Sequence, residues 1–176
     1  EHISGVILYD ETIRQNGADS TPLVKVIQDQ GMIPGIKVDK GSKPLAGAPD
    51  EQVTEGLDGL RDRLAEYVGL GARFPKWRCI ICIGDGLPSR YGIEVNSHAL
   101  ARFAALSQEA GLVPIVEPEV LMDGDHSIDR CFEATEATLR EVYHQLGHQR
   151  VVLEGTLLKP NMVLSGKDAR NRAEPE

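Results

Sequence analysis

Long apolar runs are missing from this 176-residue chain. The longest, such as Cys79–Ile83, fall far short of the roughly 20 residues a helix needs to span a bilayer. Basic blocks are missing too. Net charge is -8 with both signs mixed along the chain, and no aromatic-interleaved Lys/Arg patch marks a nucleic-acid surface. Cysteine is scarce: an odd three, which fits a reducing, cytoplasmic setting. A glycine-rich phosphate turn is absent, because Gly84-Asp85-Gly86 is a lone GxG. The amino terminus, Glu1-His2-Ile3-Ser4, is not a signal peptide. It lacks methionine and runs straight into an apolar segment, so the expectation is a chain cut from something longer.

What is present suits one domain, with 41% hydrophobic residues for its core. Apolar, β-branched segments at 3–9, 33–39, 76–83, 113–117 and 151–159 alternate with amphipathic helical ones at 22–30, 56–69, 91–110 and 128–146. Thr21-Pro22 reads as a helix opening, and Gly111 and Gly147 as helix ends of positive φ. Strand–helix alternation implies a parallel sheet. The stretch 40–55 reads as a loop or hairpin. Residues 1–164 form the expected domain, and the polar stretch 165–176, without apolar period, is expected to be loose. Cys79 and Cys82 make a CxxC, but three residues apart on a strand their side chains point to opposite faces, which speaks against metal or redox use.

The strand ends carry the chemistry. Lys37 and Asp39 end the second strand, Lys76 and Arg78 lie on the third, Glu117 and Glu119 end the fourth, and Lys159 ends the fifth. Lys37, Lys76, Glu117 and Lys159 are separated by 39, 41 and 42 residues, about one strand–helix unit each time. In a TIM (β/α)8 barrel, side chains at the carboxyl ends of successive strands converge on one pocket. A partial barrel is therefore preferred to a doubly wound sheet. The run 151–159 reads as a buried strand ending on Lys159, although a strand-end lysine can also reach solvent. Three lysines and an arginine imply a strongly cationic pocket for an anionic, phosphorylated substrate. Crowded ammonium groups favour a neutral amine that attacks a carbonyl, and a carboxylate such as Glu117 can move the protons. These residues leave open which lysine is the nucleophile. No cluster has metal-ligand spacing, so no metal and no cofactor are expected. Asp123-Gly124-Asp125-His126 reads as a polar turn with helix-capping residues.

Across residues 3–166 the chain resembles class I fructose-bisphosphate aldolases. The resemblance rests on Gly-Ile-Lys-Val-Asp-Lys-Gly at 35–41, Pro-Leu-Ala-Gly at 44–47 and Lys-Trp-Arg at 76–78. It extends through Val-Pro-Ile-Val-Glu-Pro-Glu at 113–119, Asp-Gly-Asp-His at 123–126 and Leu-Glu-Gly-Thr-Leu-Leu-Lys-Pro-Asn at 153–161. It implies that Lys159 forms a Schiff base with the ketose carbonyl, that Glu117 is the acid/base group and that Lys76 is a second essential cation. Lys37 and Arg78 would contact phosphate or substrate hydroxyls, with Glu119 supporting Lys159 and Glu117. The implied reaction is metal-independent, reversible cleavage of fructose 1,6-bisphosphate in glycolysis and gluconeogenesis, by a homotetramer in full-length members. The resemblance places strands two to six of eight here, with an acidic first-strand residue and further phosphate-binding groups outside the chain. Some members have lysine where this chain has Cys82, and Asp85-Gly86-Leu87 also differs from common versions. An isolated piece of this kind is expected to be poorly active. The alternative is a non-catalytic chain that keeps the pocket as a phosphate- or partner-binding surface.

Overall fold

A computed structural model describes residues 2–170 and 172. Five strands, β1 (Gly5–Leu8), β2 (Ile33–Lys37), β5 (Phe74–Ile81), β6 (Ile115–Val120) and β7 (Leu157–Leu158), form one sheet in that spatial order. Every neighbouring pair is parallel, so all carboxyl ends lie along one rim. Between β2 and β5 the chain makes an antiparallel hairpin, β3 (Ser42–Leu45) with β4 (Ala48–Thr54). The hairpin is where the glycine- and proline-rich stretch 40–55 was expected to leave the strand–helix pattern. Four helices follow the sequence periodicity, α2 (Leu23–Asp29), α3 (Leu60–Gly69), α4 (Arg90–Glu109) and α5 (Ile128–His148), and a single unexpected turn, α1 (Asp10–Ile13), precedes them.

The helix boundaries show which local signals act. Ser89 opens α4 by accepting the Gly92 N–H at 3.0 Å, and Ser127 opens α5 by accepting the Arg130 N–H at 3.1 Å. The helix expected from Gly56 starts only at Leu60, because Gly56 (φ +128) and Gly59 (φ +64) adopt non-helical backbone. Proline takes the cap position of α2 itself, displacing Thr21 from the expected role. Gly111 has the expected positive φ of +73. Gly147 does not: α5 continues to His148, and the left-handed turn falls on Arg150 (φ +60).

Residues two apart on a strand share a face, and the two faces of this sheet differ. Ile36, Val38, Trp77, Cys79 and Val116 point toward the helices and pack with Leu64, Leu100, Phe103, Ala104 and Val142. Trp77 and Phe103 stack with ring centroids 5.7 Å apart. Ile7, Ile33 and Leu157 lie on the opposite face and are exposed. Phe74 lies on that face too, its ring over Gly35, where a Cβ would sit 2.2 Å from a ring carbon. Gly35→Ala should therefore destabilise the fold by about 1–3 kcal/mol through overpacking. Urea unfolding checks this, and adding Phe74→Leu should recover part of the loss; an unchanged midpoint in the single variant would refute the contact.

The run 151–159 corrects the sequence expectation. It forms a 3-10 turn at Leu153–Gly155 and pairs with β6 only through Leu157 and Leu158. Helix α4 holds this turn in place: Gln108 donates to the Val152 and Gly155 carbonyls at 2.7 and 3.2 Å and accepts the Val152 N–H at 2.9 Å. As one of the sheet's two edge strands, β7 is exposed rather than buried.

Cys79 lies on the buried helix side, its Sγ 3.6 Å from the Asn96 carbonyl, and burial pushes its thiol up to about 12. Burial also raises the half-buried Cys82. Ellman's reagent should label only Cys82 in the native chain, and slowly, leaving the buried Cys79 and Cys131 for the unfolded state. Rapid native labelling of all three would contradict this packing. Of the stretch expected to be loose, residues 171 and 173–176 lie outside the described residues. Its described part hydrogen bonds to the turn after β6: the N–H groups of Gly166, Lys167 and Asp168 donate to the carbonyls of His126, Met122 and Gly124.

Candidate active site

Four neighbouring strands deliver charged side chains to one rim of the sheet. Lys37 ends β2 and Asp39 follows it on the same face. Lys76 and Arg78 come from β5, and Glu117 and Glu119 from β6. Lys159 follows β7, its N–H bonded to the Val116 carbonyl at 2.9 Å. Register places Lys37 beside Lys76, Arg78 beside Glu117, and Ile115 beside Leu157, so the charges step diagonally across the rim. All six residues expected at the site, Lys37, Lys76, Arg78, Glu117, Glu119 and Lys159, are brought together there.

Glu117 stands at the centre, with its side chain only 5% exposed. Lys159 donates to its Oε1, and Lys76 Nζ lies 3.2 Å from its Oε2. The Lys76 contact is an ion pair rather than a well-directed hydrogen bond, so Oε2 keeps an acceptor lone pair without a hydrogen-bond partner. Such an oxygen can take or return a proton without first giving up a hydrogen bond. Of the two readings of Lys159, buried or reaching solvent, the structure has the second: its side chain is 58% exposed, with the stem reaching out and the ammonium turned onto Glu117.

Asp39 is the site residue that sequence reading left without a role. Its carboxylate is 3% exposed, accepts Lys37 Nζ at 2.6 Å, and lies 3.6 Å from Lys76 Nζ. It also accepts the Gly41 and Arg78 N–H groups at 3.2 and 3.3 Å. The available signal was the i, i+2 step from Lys37. Arg78 pairs in turn with Glu119, and Lys37 Nζ lies 5.9 Å from the Tyr9 ring centroid.

These carboxylates correct the expectation of a strongly cationic pocket. Four cationic groups face three carboxylates within ion-pair distance, a formal excess of one positive charge. Buried ammonium groups need such partners, because an unpaired charge out of water costs several kcal/mol. Within a chain of net charge -8, the rim is still a place where an anion is drawn.

The turn 123–126 does not join this cluster. Lys167 pairs with Asp123 and holds its carboxyl below the usual carboxylate range, and the cap of α5 is Ser127 rather than a residue of the motif. Among the described residues no group of three or more His, Cys, Asp or Glu is arranged to hold a metal ion.

A family model described as fructose-bisphosphate aldolase class-I matches residues 1–176. A probable fructose-bisphosphate aldolase class 1 of Xanthomonas campestris is 62% identical over all of this chain and 53% of its own length. The cytosolic fructose-bisphosphate aldolase 4 of Arabidopsis thaliana is 50% identical over all of this chain and 45% of its own. Among solved structures, fructose-bisphosphate aldolase from Plasmodium falciparum, crystallised with TRAP and a small-molecule inhibitor, superposes with a TM-score of 0.96. That match is 44% identical and covers 98% of this chain and 50% of the other. The chain thus spans about half the length of these proteins, and its sheet is part of a TIM barrel.

Proposed function

The chain belongs to the class-I fructose-bisphosphate aldolase family, and on that footing we propose that it carries the Schiff-base centre of such an enzyme. The reaction is reversible aldol cleavage of fructose 1,6-bisphosphate to dihydroxyacetone phosphate and glyceraldehyde 3-phosphate. The observation that carries this reading is the sharing of one buried carboxylate by two ammonium groups, Lys159 on Oε1 and Lys76 on Oε2 of Glu117. A nucleophilic lysine must lose its proton before it attacks, and here the acceptor is already in contact.

Lys159, as the free amine, attacks the ketose C2 carbonyl. Glu117 returns a proton to the carbinolamine oxygen, water leaves, and an iminium forms. Breaking the C3–C4 bond sends its electron pair into the iminium, giving an enamine, while a base takes the C4 hydroxyl proton and the aldehyde departs. Protonation of the enamine at C3 and hydrolysis then restore Lys159. Lys76, on the far oxygen of Glu117, balances the carboxylate as the proton moves. Lys37 and Arg78 bind phosphate or hydroxyl groups, and Glu119 positions Arg78 and supports Lys159 and Glu117 electrostatically. The enzyme is proposed to be cytoplasmic, metal-independent and homotetrameric at full length. No helix among the described residues is long and apolar enough to cross a membrane.

Five strands leave the inner sheet face exposed, so we expect the Schiff-base step in this chain and multiple turnover only in a closed barrel. The test is borohydride reduction with fructose 1,6-bisphosphate, followed by peptide mapping. A sugar-phosphate adduct on the Lys159 peptide is the expected result. Phosphate binding without an adduct would replace this reading with that of a non-catalytic anion-binding surface. Turnover at the rate of a full-length enzyme would overturn the requirement for closure.

A further inference from the structure

The helix layer carries a pair of side chains that the strand-end chemistry does not use. His144 and His148 lie one turn apart on α5, both exposed, with ring centroids 4.1 Å apart and planes inclined at 48°. Histidines at i and i+4 stand on one helix face, the spacing by which a single helix offers two imidazole nitrogens to one ion. His148 is the last residue of α5, where the partial negative charge of the helix carboxyl end favours a cation. Both rings are exposed, so packing does not oppose the small rotations that would turn their nitrogens toward a common point. Neutral imidazole suits Zn2+, Cu2+ and Ni2+ rather than Mg2+ or Ca2+, which demand oxygen donors.

We propose that His144 and His148 form a two-nitrogen chelate for an imidazole-preferring divalent transition-metal ion, on the outer surface of the helix layer. The site is open. It has no third protein ligand among the described residues, so water completes the coordination. His98, across the shallow groove between α4 and α5, does not complete a three-ligand set with them; its Nδ1 lies 3.4 Å from both Gln145 Oε1 and Gln149 Nε2, and the tautomer decides which of the two it bonds. Nearby Glu141 accepts from Gln145 at 2.8 Å. A bound ion would staple the last two turns of α5 and act on the folded state alone.

Isothermal titration of the whole chain with Zn2+ tests this, since zinc does not oxidise the three thiols. One equivalent should bind and raise the melting temperature. His144→Ala and His148→Ala should each weaken binding by at least the roughly tenfold that losing even a supporting group costs at metal centres. Both positions are exposed on a helix, so alanine leaves the fold intact, which circular dichroism verifies. His98→Ala and Cys82→Ser should bind as the parent does. Absence of zinc binding, or binding that survives loss of both His144 and His148, would overturn the proposal.

Discussion

Lys159→Met abolishes the borohydride-trapped adduct with fructose 1,6-bisphosphate, while Glu117→Gln retains it but forms it about 10²–10⁴-fold more slowly, the range over which positioned acid–base groups act. The two variants separate two roles that the geometry keeps distinct. Methionine preserves the length and apolar stem of Lys159 but has no nitrogen to bond to carbon. Glutamine preserves the shape of Glu117 and still accepts a hydrogen bond from either lysine, but it cannot shuttle the proton. Circular dichroism should be unchanged in the lysine variant, because more than half of that side chain is exposed and little packing is lost. The readout is adduct mass against time. An adduct in Lys159→Met, or equal rates in Glu117→Gln and parent, would each remove a residue from its proposed role.

Asp39→Ala has the largest expected effect on stability, a loss of about 3 kcal/mol, at the lower end of what breaking a buried ion pair costs. The lower end applies because the cations are not left bare: Lys76 keeps Glu117 at 3.2 Å, and Lys37 keeps the residue-39 backbone carbonyl at 2.9 Å. What is lost is the carboxylate that accepts Lys37 Nζ and the Gly41 and Arg78 N–H groups together. Asp39→Asn restores some of these bonds without the charge and should recover part of the loss. Urea unfolding with an unchanged m-value measures both. A midpoint for Asp39→Ala within error of the parent would mean that the network is ornamental to the fold.

The alternation of strands and helices was legible because each strand keeps one face for the helices, and because α4 and α5 carry long apolar periods behind serine caps. The strand-end residues were legible for a related reason. A near-constant spacing brings Lys37, Lys76, Glu117 and Lys159 to the carboxyl ends of successive strands, with a two-residue step between Lys76 and Glu117, and the i, i+2 rule does the rest. What stayed hidden depended on partners distant in sequence. Asp39 takes its importance from Lys76 and Arg78, and nothing local announces that its carboxylate will be buried between them. The turn that precedes β7 is held by Gln108, a helix residue 44 positions before Val152. The small charge excess followed from the same blindness: cations can be counted along a chain, but their counter-ions are chosen by the fold. Helix α1 was missed because a single turn shows no period.

The hairpin gives the rim a line of mechanical control. Asn96, inside α4, donates to the Gln52 carbonyl at 2.8 Å and accepts the Thr54 N–H at 3.4 Å, while Thr54 Oγ1 donates to the Arg78 carbonyl at 2.8 Å. The peptide N–H of Arg78 ends on Asp39. A side chain buried among helix residues is thereby tied, through Thr54, to the strand end that carries Arg78. Loss of the Asn96 amide would free the hairpin from α4 while leaving every charged residue of the rim the same.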